Sequence, residues 1–278
     1  MTETLLTVED LSVTFAGRTG VTRAVRNASF TLSRERLGVV GESGSGKTTM
    51  GRALLGLLPW TATVTAKTMV YEGADLLRCT ERDWQQLRGA RMSMVMQDAK
   101  YSLNPVKTVG RQIGETARLH LGSDQNDARR RTLAMLEAVQ MRDPEMVFGL
   151  YPHQLSGGMG QRVMIAMMLV AEPDLLIADE PTSALDVTVQ NEVLRVLDDL
   201  VRDRGMGLIM ISHNLTMVSS FCDRVLIMYG GRIVEECAAQ DLANAHHPYT
   251  RALVAATPSL DVRRTELATV VRDPQWLQ

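Results

Sequence analysis

The chain has 278 residues, 45% of them hydrophobic and 22% charged, with a formal net charge of −2. That is enough apolar material for one large domain or two small ones, and the charge balance gives no general reason to expect a nucleic-acid partner. Three cysteines, Cys79, Cys222 and Cys237, show no metal-ligand spacing, and their odd number suggests a reducing compartment. Glu3, Glu9 and Asp10 stand where a secretory signal needs apolar residues. No apolar run approaches the roughly 18 residues of a membrane-spanning helix. The expectation is a cytosolic protein whose membrane role, if it has one, comes through a partner.

Residues 5–32 alternate as half-buried strands do. Leu11, Val13 and Phe15 share one face, Val25, Phe30 and Leu32 follow, and Gly17 and Gly20 lie between, which predicts an antiparallel pair. Leu37 to Val40 is a short apolar run of the buried-strand kind. Directly after it, Gly41-Glu42-Ser43-Gly44-Ser45-Gly46-Lys47-Thr48 fits G-x-x-x-x-G-K-[ST], the loop that cradles the phosphates of a nucleoside triphosphate. Its glycines let successive N–H groups face one anion. Lys47 supplies a charge for the β- and γ-phosphates, and the Thr48 hydroxyl is placed to bind Mg²⁺. Thr49 to Leu58 reads as a helix, so the phosphates would meet its positive end.

Arg91 to Gln97 is a further candidate buried strand. Over residues 98–153 the spacing turns helical at Leu133, Leu136 and Val139, with Pro105, Pro144 and Pro152 marking loops, which predicts a mainly helical insertion. Ser156-Gly157-Gly158 then opens an apolar helix to Val170, a second phosphate-binding geometry. One nucleotide rarely needs two such loops, so this one reads as serving the nucleotide of another subunit; the alternative is a simple N-cap by Ser156. Asp174 to Glu180 reads as a strand ending in acids. Asp179 can reach a metal directly or through water, and Glu180 can polarise the attacking water.

Val189, Val193, Val196, Leu197 and Leu200 predict a helix that stops at Gly205. Gly207 to Ser212 is strand-like, and Arg224 to Glu235 holds Gly230-Gly231 between apolar runs, a hairpin signal. Residues 246–278 are less patterned and give no fold. Strand, phosphate loop, helix and further buried strands imply an α/β protein with a mainly parallel core.

The stretches GESGSGKTT, LSGGMGQR, LLIADEPTSALD and ISHNL, in that order, resemble the ATP-binding subunit of an ABC transporter over residues 5–245. The resemblance implies a RecA-like phosphate-loop ATPase core with an N-terminal antiparallel β-subdomain and a helical subdomain inserted at about 98–155. By matching position, Phe15 resembles the aromatic that stacks on adenine. Gly41, Ser43, Gly44, Ser45, Gly46, Lys47, Thr48 and Thr49 would hold the nucleotide. Gln97 resembles the glutamine that touches Mg²⁺ and the attacking water. Ser156, Gly157 and Gly158 resemble the signature loop that closes on the γ-phosphate across a head-to-tail dimer. Asp179 would be the Mg²⁺-side acid, Glu180 the general base and His213 the switch histidine, while Ser183 to Asp186 resembles the loop linking two ATP sites.

QDAKYSLNP at Gln97–Pro105, YPHQLSGGMGQRVMIA at Tyr151–Ala166 and HPYTRAL at His247–Leu253 are similar to the oligopeptide, dipeptide and nickel importer branch, with residues 246–278 as its C-terminal extension. That branch implies ATP and Mg²⁺, two permease subunits, a second identical or related ATP-binding subunit and, indirectly, an extracytoplasmic solute-binding protein. It places the chain on the cytoplasmic face of the inner membrane. Ala99, Asn214 and Gly160 depart from the branch, where proline, aspartate and arginine are usual, and none removes a catalytic group. The competing expectation is a soluble ATPase of a phosphonate carbon–phosphorus lyase complex, against which the importer-like SLNP string speaks. A DNA-repair or ribosome-acting member would bring two cassettes, coiled-coil insertions or basic extensions, none of which the sequence carries.

Overall fold

The computed structural model of the chain describes residues 4–17, 20–96, 102–182, 185–257 and 276. In chain order the elements begin with β1 (Leu6–Gly17), β2 (Gly20–Leu32), β3 (Arg36–Val40), α1 (Lys47–Leu54), β4 (Ala62–Thr65), β5 (Thr68–Tyr71), β6 (Ala74–Asp75) and α2 (Glu81–Leu87). Next come β7 (Met92–Val95), α3 (Val109–Leu121), α4 (Gln125–Ala138), α5 (Pro144–Gly149), α6 (Gly157–Leu169) and β8 (Leu175–Asp179). The chain continues through α7 (Val187–Arg204), β9 (Gly207–Ser212), α8 (Leu215–Phe221), β10 (Arg224–Tyr229), β11 (Arg232–Ala238) and α9 (Pro248–Ala256). They fall into two compact units, one formed by Met1–Cys79 with Ile209–Gln278 and the other by Thr80–Leu208.

The first unit opens with the expected antiparallel pair, in which Gly17 pairs with Gly20. The buried apolar positions change parity once in each strand, from Leu6 and Val8 to Leu11 and Val13, and from Val25 to Ala28, Phe30 and Leu32. An uncorrected change of parity would turn every later side chain to the wrong face. Bulges absorb it: the register shifts there, and Asp10 and Asn27 take φ of 54° and 49°. The Asp10 N–H donates to Ser29 Oγ at 2.9 Å and the Asn27 N–H to Ser12 Oγ at 3.0 Å, so each bulge is satisfied by the opposite strand. β4 and β5 pair with β1, and β6 with β5, all antiparallel.

The same unit holds strands in the order β11-β10-β3-β9. β3 lies parallel to β10, which turns back into β11 through Gly230 and Gly231, both at positive φ. Leu37, Val39 and Val40 are fully buried, as their unbroken apolar run requires. α1 is shorter than the sequence suggests and ends at Leu54, because Leu55 caps it and Gly56 turns the chain at φ 60°.

In the second unit β7 and β8 pair in parallel. The expected helical insertion appears as α3, α4 and α5, started by Thr108, Asp124 and Asp143, whose side chains each accept from a first-turn N–H. α3 buries Ile113 and Ala117, and α4 buries Met135 and Leu136. α6 buries Val163, Met164, Ile165 and Leu169, and α7 presents the predicted Val193, Val196, Leu197 and Leu200 stripe before Gly205 closes it at φ 60°.

Candidate nucleotide site

β3 delivers the chain to Gly41, where a Cβ would lie 2.1 Å from the Met228 carbonyl oxygen and 2.8 Å from Ser45 Oγ. Only glycine lets the loop rest there. Five residues on, Gly46 takes φ 102° and starts α1, and a Cβ on it would meet the Ala24 carbonyl oxygen at 2.3 Å. Lys47 is buried, and its Nζ donates to the carbonyls of Gly41 (2.7 Å) and Glu42 (2.8 Å) and to Ser45 Oγ (3.4 Å). The ammonium is thus folded against the loop it belongs to. Ser43 and Gly44 are exposed at the tip, with Thr48 and Thr49 half-buried behind.

α1 has neither a side-chain cap nor an acid in its first turn. Every other α-helix among the described residues, from Thr80 for α2 to His247 for α9, begins on a side-chain cap. The first turn of α1 therefore brings no capping oxygen or acid of its own to its positive end, the arrangement that suits a phosphate.

His213 is exposed one residue beyond β9, the sheet neighbour of β3. Asn214 next to it caps α8, its Oδ1 accepting the Met217 N–H at 3.0 Å. Asparagine caps a helix about as well as aspartate, so this departure costs the element nothing. Phe15 pairs with Thr22 and is only half-buried, whereas Leu11 and Val13 on the same strand are fully buried. A core residue at that position would be covered, and Phe15 is not.

In the second unit the apolar run Leu175–Ala178 is fully buried and ends at Asp179, which is only 4% exposed. The expected strand Asp174–Glu180 is shorter, because Glu180 takes φ 47° and breaks it. A left-handed backbone at a residue other than glycine costs on the order of 1–3 kcal/mol and tends to persist at working sites. Ser156 does cap α6, accepting the Met159 N–H at 3.3 Å, and it remains exposed, as does Gly157. A Cβ on Gly158 would strike Val189 Cγ1 at 2.8 Å, so its smallness serves packing on α7. A Cβ on Gly157 would meet nothing within 4 Å, so no internal contact demands that glycine. Gly160 is buried in α6. Asp186 caps α7, its Oδ1 accepting from Thr188 and Val189 N–H, each at 3.1 Å. Gln97, Ala99, Ser183 and Ala184 lie outside the described residues.

Sequence reasoning did not bring Tyr249 to this site, yet its hydroxyl accepts the Glu42 N–H of the phosphate loop at 3.1 Å. The signal was present in the HPYT string, but nothing in the string says where the ring goes.

A family model described as ABC transporter matches residues 25–183. The chain belongs to the ABC transporter family. This cassette is 46% identical over 257 residues to the probable peptide ABC transporter ATP-binding protein y4tR of Sinorhizobium fredii, covering 91% of this chain and 77% of that protein. It is 44% identical over 272 residues to the oligopeptide transport ATP-binding protein OppD of Salmonella typhimurium, covering 97% and 81%. With the dipeptide transport ATP-binding protein DppD of Escherichia coli it shares 41% over 268 residues, covering 96% and 82%. Among solved structures it is similar to a dimeric bacterial ABC transporter cassette, MJ0796, at a TM-score of 0.76 and 23% identity, covering 84% of this chain and 99% of that one. The cbiO1 subunit of a Clostridium perfringens transporter gives a TM-score of 0.75 at 24% identity, covering 87% and 91%. These two establish the fold of the cassette, an α/β phosphate-loop ATPase. No helix among the described residues is long and apolar enough to cross a membrane.

Proposed function

We propose that this cassette is the ATP-hydrolysing motor of a peptide importer, seated on the cytoplasmic face of the cell membrane beneath two permease subunits. A second ATP-binding subunit, identical or related, completes it, and an extracytoplasmic binding protein delivers the solute to the permeases. The observation that carries the reading is the 41% to 46% identity to peptide-transport ATP-binding proteins across nearly the whole chain. The resemblance to a carbon–phosphorus lyase ATPase is not favoured by those relatives.

In this reading the phosphate loop and the uncapped start of α1 hold the nucleotide's phosphates, with Lys47 as their cation. Phe15, only half-buried, stacks on adenine. Ser156 and Gly157, exposed at the start of α6, face the nucleotide of the other subunit, and Asp186 joins the loop between the two ATP sites. Mg²⁺ keeps few protein ligands and shares the substrate's phosphates, which suits a hydroxyl such as that of Thr48 and a carboxylate such as that of Asp179, with Gln97 assigned to the metal by the family resemblance alone. When bound it neutralises charge on the transferred phosphoryl group. Glu180 takes the proton of the attacking water, and His213 steadies the γ-phosphate. Closing of two cassettes on two ATP molecules moves the permeases, and hydrolysis releases them.

The test is affinity capture of tagged Glu180→Gln protein, with ATP, from detergent-solubilised cells. Two polytopic membrane subunits and a second ATPase band, or excess of the same chain, are expected. Recovery of soluble enzyme subunits without any membrane protein would overturn the importer reading.

A further inference from the structure

The His247–Thr250 stretch lies in the tail that the sequence left without a fold, and the structure gives its residues distinct tasks. His247 Nδ1 accepts the Tyr249 N–H at 3.2 Å and caps α9. Pro248 fills the first helical position, where a missing N–H costs nothing. Glu235 of β11 ties the segment down, its Oε1 accepting the N–H groups of His246 (2.6 Å) and His247 (3.3 Å). So held, α9 buries Tyr249 completely. Its ring lies 4.4 Å, centroid to centroid, from Tyr229 at the end of β10 and 5.5 Å from Trp276.

The buried hydroxyl needs a partner, and it finds one in the phosphate loop, at the Glu42 N–H. The carbonyls of Gly41 and Glu42 are the ones that receive the Lys47 ammonium. The opening of the loop is therefore gripped twice. The Met228 carbonyl, one residue before Tyr229, abuts Gly41, and Tyr249 holds the N–H of the next residue. The two carbonyls that orient Lys47 belong to this fixed pair.

We propose that Tyr249 is a positioning residue for the phosphate loop, which makes the C-terminal segment part of the nucleotide site. The proposal rests on the reading of Gly41–Thr48 as the nucleotide loop. The hydroxyl does not touch nucleotide; it fixes the Gly41–Glu42 backbone so that Lys47 and the following amides stay preset. A loop released from that hydrogen bond samples other conformations, and apparent affinity falls with the fraction left competent.

The experiment compares full-length wild type, Tyr249→Phe and Tyr229→Phe by titration with a fluorescent ATP analogue and by amide hydrogen exchange of the nucleotide-free proteins. Tyr249→Phe keeps the ring and removes the hydroxyl that accepts the Glu42 N–H. It should raise Kd about threefold to tenfold and speed exchange across Glu42–Lys47. Tyr229→Phe, from the same ring cluster, should leave Kd as in wild type. An unchanged Kd and unchanged loop exchange in Tyr249→Phe would overturn the proposal, as would an equal loss of affinity in Tyr229→Phe. Should Tyr249→Phe fail to fold, wild-type exchange decides: the Glu42 amide must be protected without nucleotide, and an open-chain rate refutes the bond. Failure of the wild type to bind the analogue would instead remove the reading of the loop, and this proposal with it.

Discussion

Replacing Gly46 by alanine tests whether the shape of the phosphate loop is what nucleotide binding requires. Gly46 sits at φ 102°, ψ −1°, where an L side chain is strained by roughly 1–2 kcal/mol. The added methyl would also lie 2.3 Å from the Ala24 carbonyl oxygen, nearer than a Cβ is found to any atom, and 3.4 Å from Met228 Cε. The oxygen is backbone within β2, so it cannot swing aside as a side chain could, and overpacking of this kind costs about 1–3 kcal/mol. The cheapest escape is for the loop to leave its conformation, since Ser43 and Gly44 at its tip already face solvent. The penalty of about 2–5 kcal/mol then falls on binding, and at about 1.4 kcal/mol per factor of ten it weakens affinity thirtyfold or more. Titration of Gly46→Ala with a fluorescent ATP analogue, beside a thermal melt of the free protein, reads both quantities. A Kd within threefold of wild type would refute the argument from loop geometry.

Two further outcomes follow from the packing of the first unit. Burial pushes the Cys222 thiol up to about 12, so an alkylating reagent at pH 8 should leave it intact in the native protein while half-exposed Cys79 reacts. Native modification of Cys222 by mass spectrometry would contradict its packing against Gly38. The Arg36 guanidinium binds Asp223 through Nε (3.1 Å) and Nη2 (2.7 Å), and with the Arg36 N–H it holds that carboxyl below its ordinary value of 3.8. A depressed carboxylate contributes stability above pH 3.8 that is lost as pH falls through the folded value. Asp223 is 45% exposed on its side chain, so the contribution is at most about 1 kcal/mol. Urea midpoints at pH 5 and pH 3 should differ less for Asp223→Asn than for wild type, and an equal difference would contradict the pairing.

What the sequence disclosed and what it hid divide along local and tertiary lines. The phosphate loop was legible because its glycines, lysine and threonine fall at fixed spacing within eight residues, although the atoms that exclude a side chain at Gly41 and Gly46 come from Met228 and Ala24, far along the chain. The β1–β2 pair and the α7 stripe were legible because their apolar spacing follows from burying one face. The bulges at Asp10 and Asn27 went unread, because they show only as register shifts between β1 and β2. β4, β5 and β6, of two to four residues each, are too short to show a period, and they exist because β1 and β5 offer them edges. α2 is seven residues long, and its one signal, the Thr80–Asp83 capping box, went unread. Glu180 reads in sequence as the last residue of a strand, and only the backbone shows that it turns away. The role of Tyr249 depends on a partner 207 positions earlier, which no local pattern contains.

The most direct measurement of the central claim is phosphate release from ATP by purified full-length wild type and by Glu180→Gln, with the oligomeric state followed in ATP. A positioned general base contributes about a hundredfold to ten-thousandfold. The account predicts a loss in that range for Glu180→Gln, with ATP still bound and a dimer retained. Hydrolysis by Glu180→Gln at the wild-type rate would contradict it.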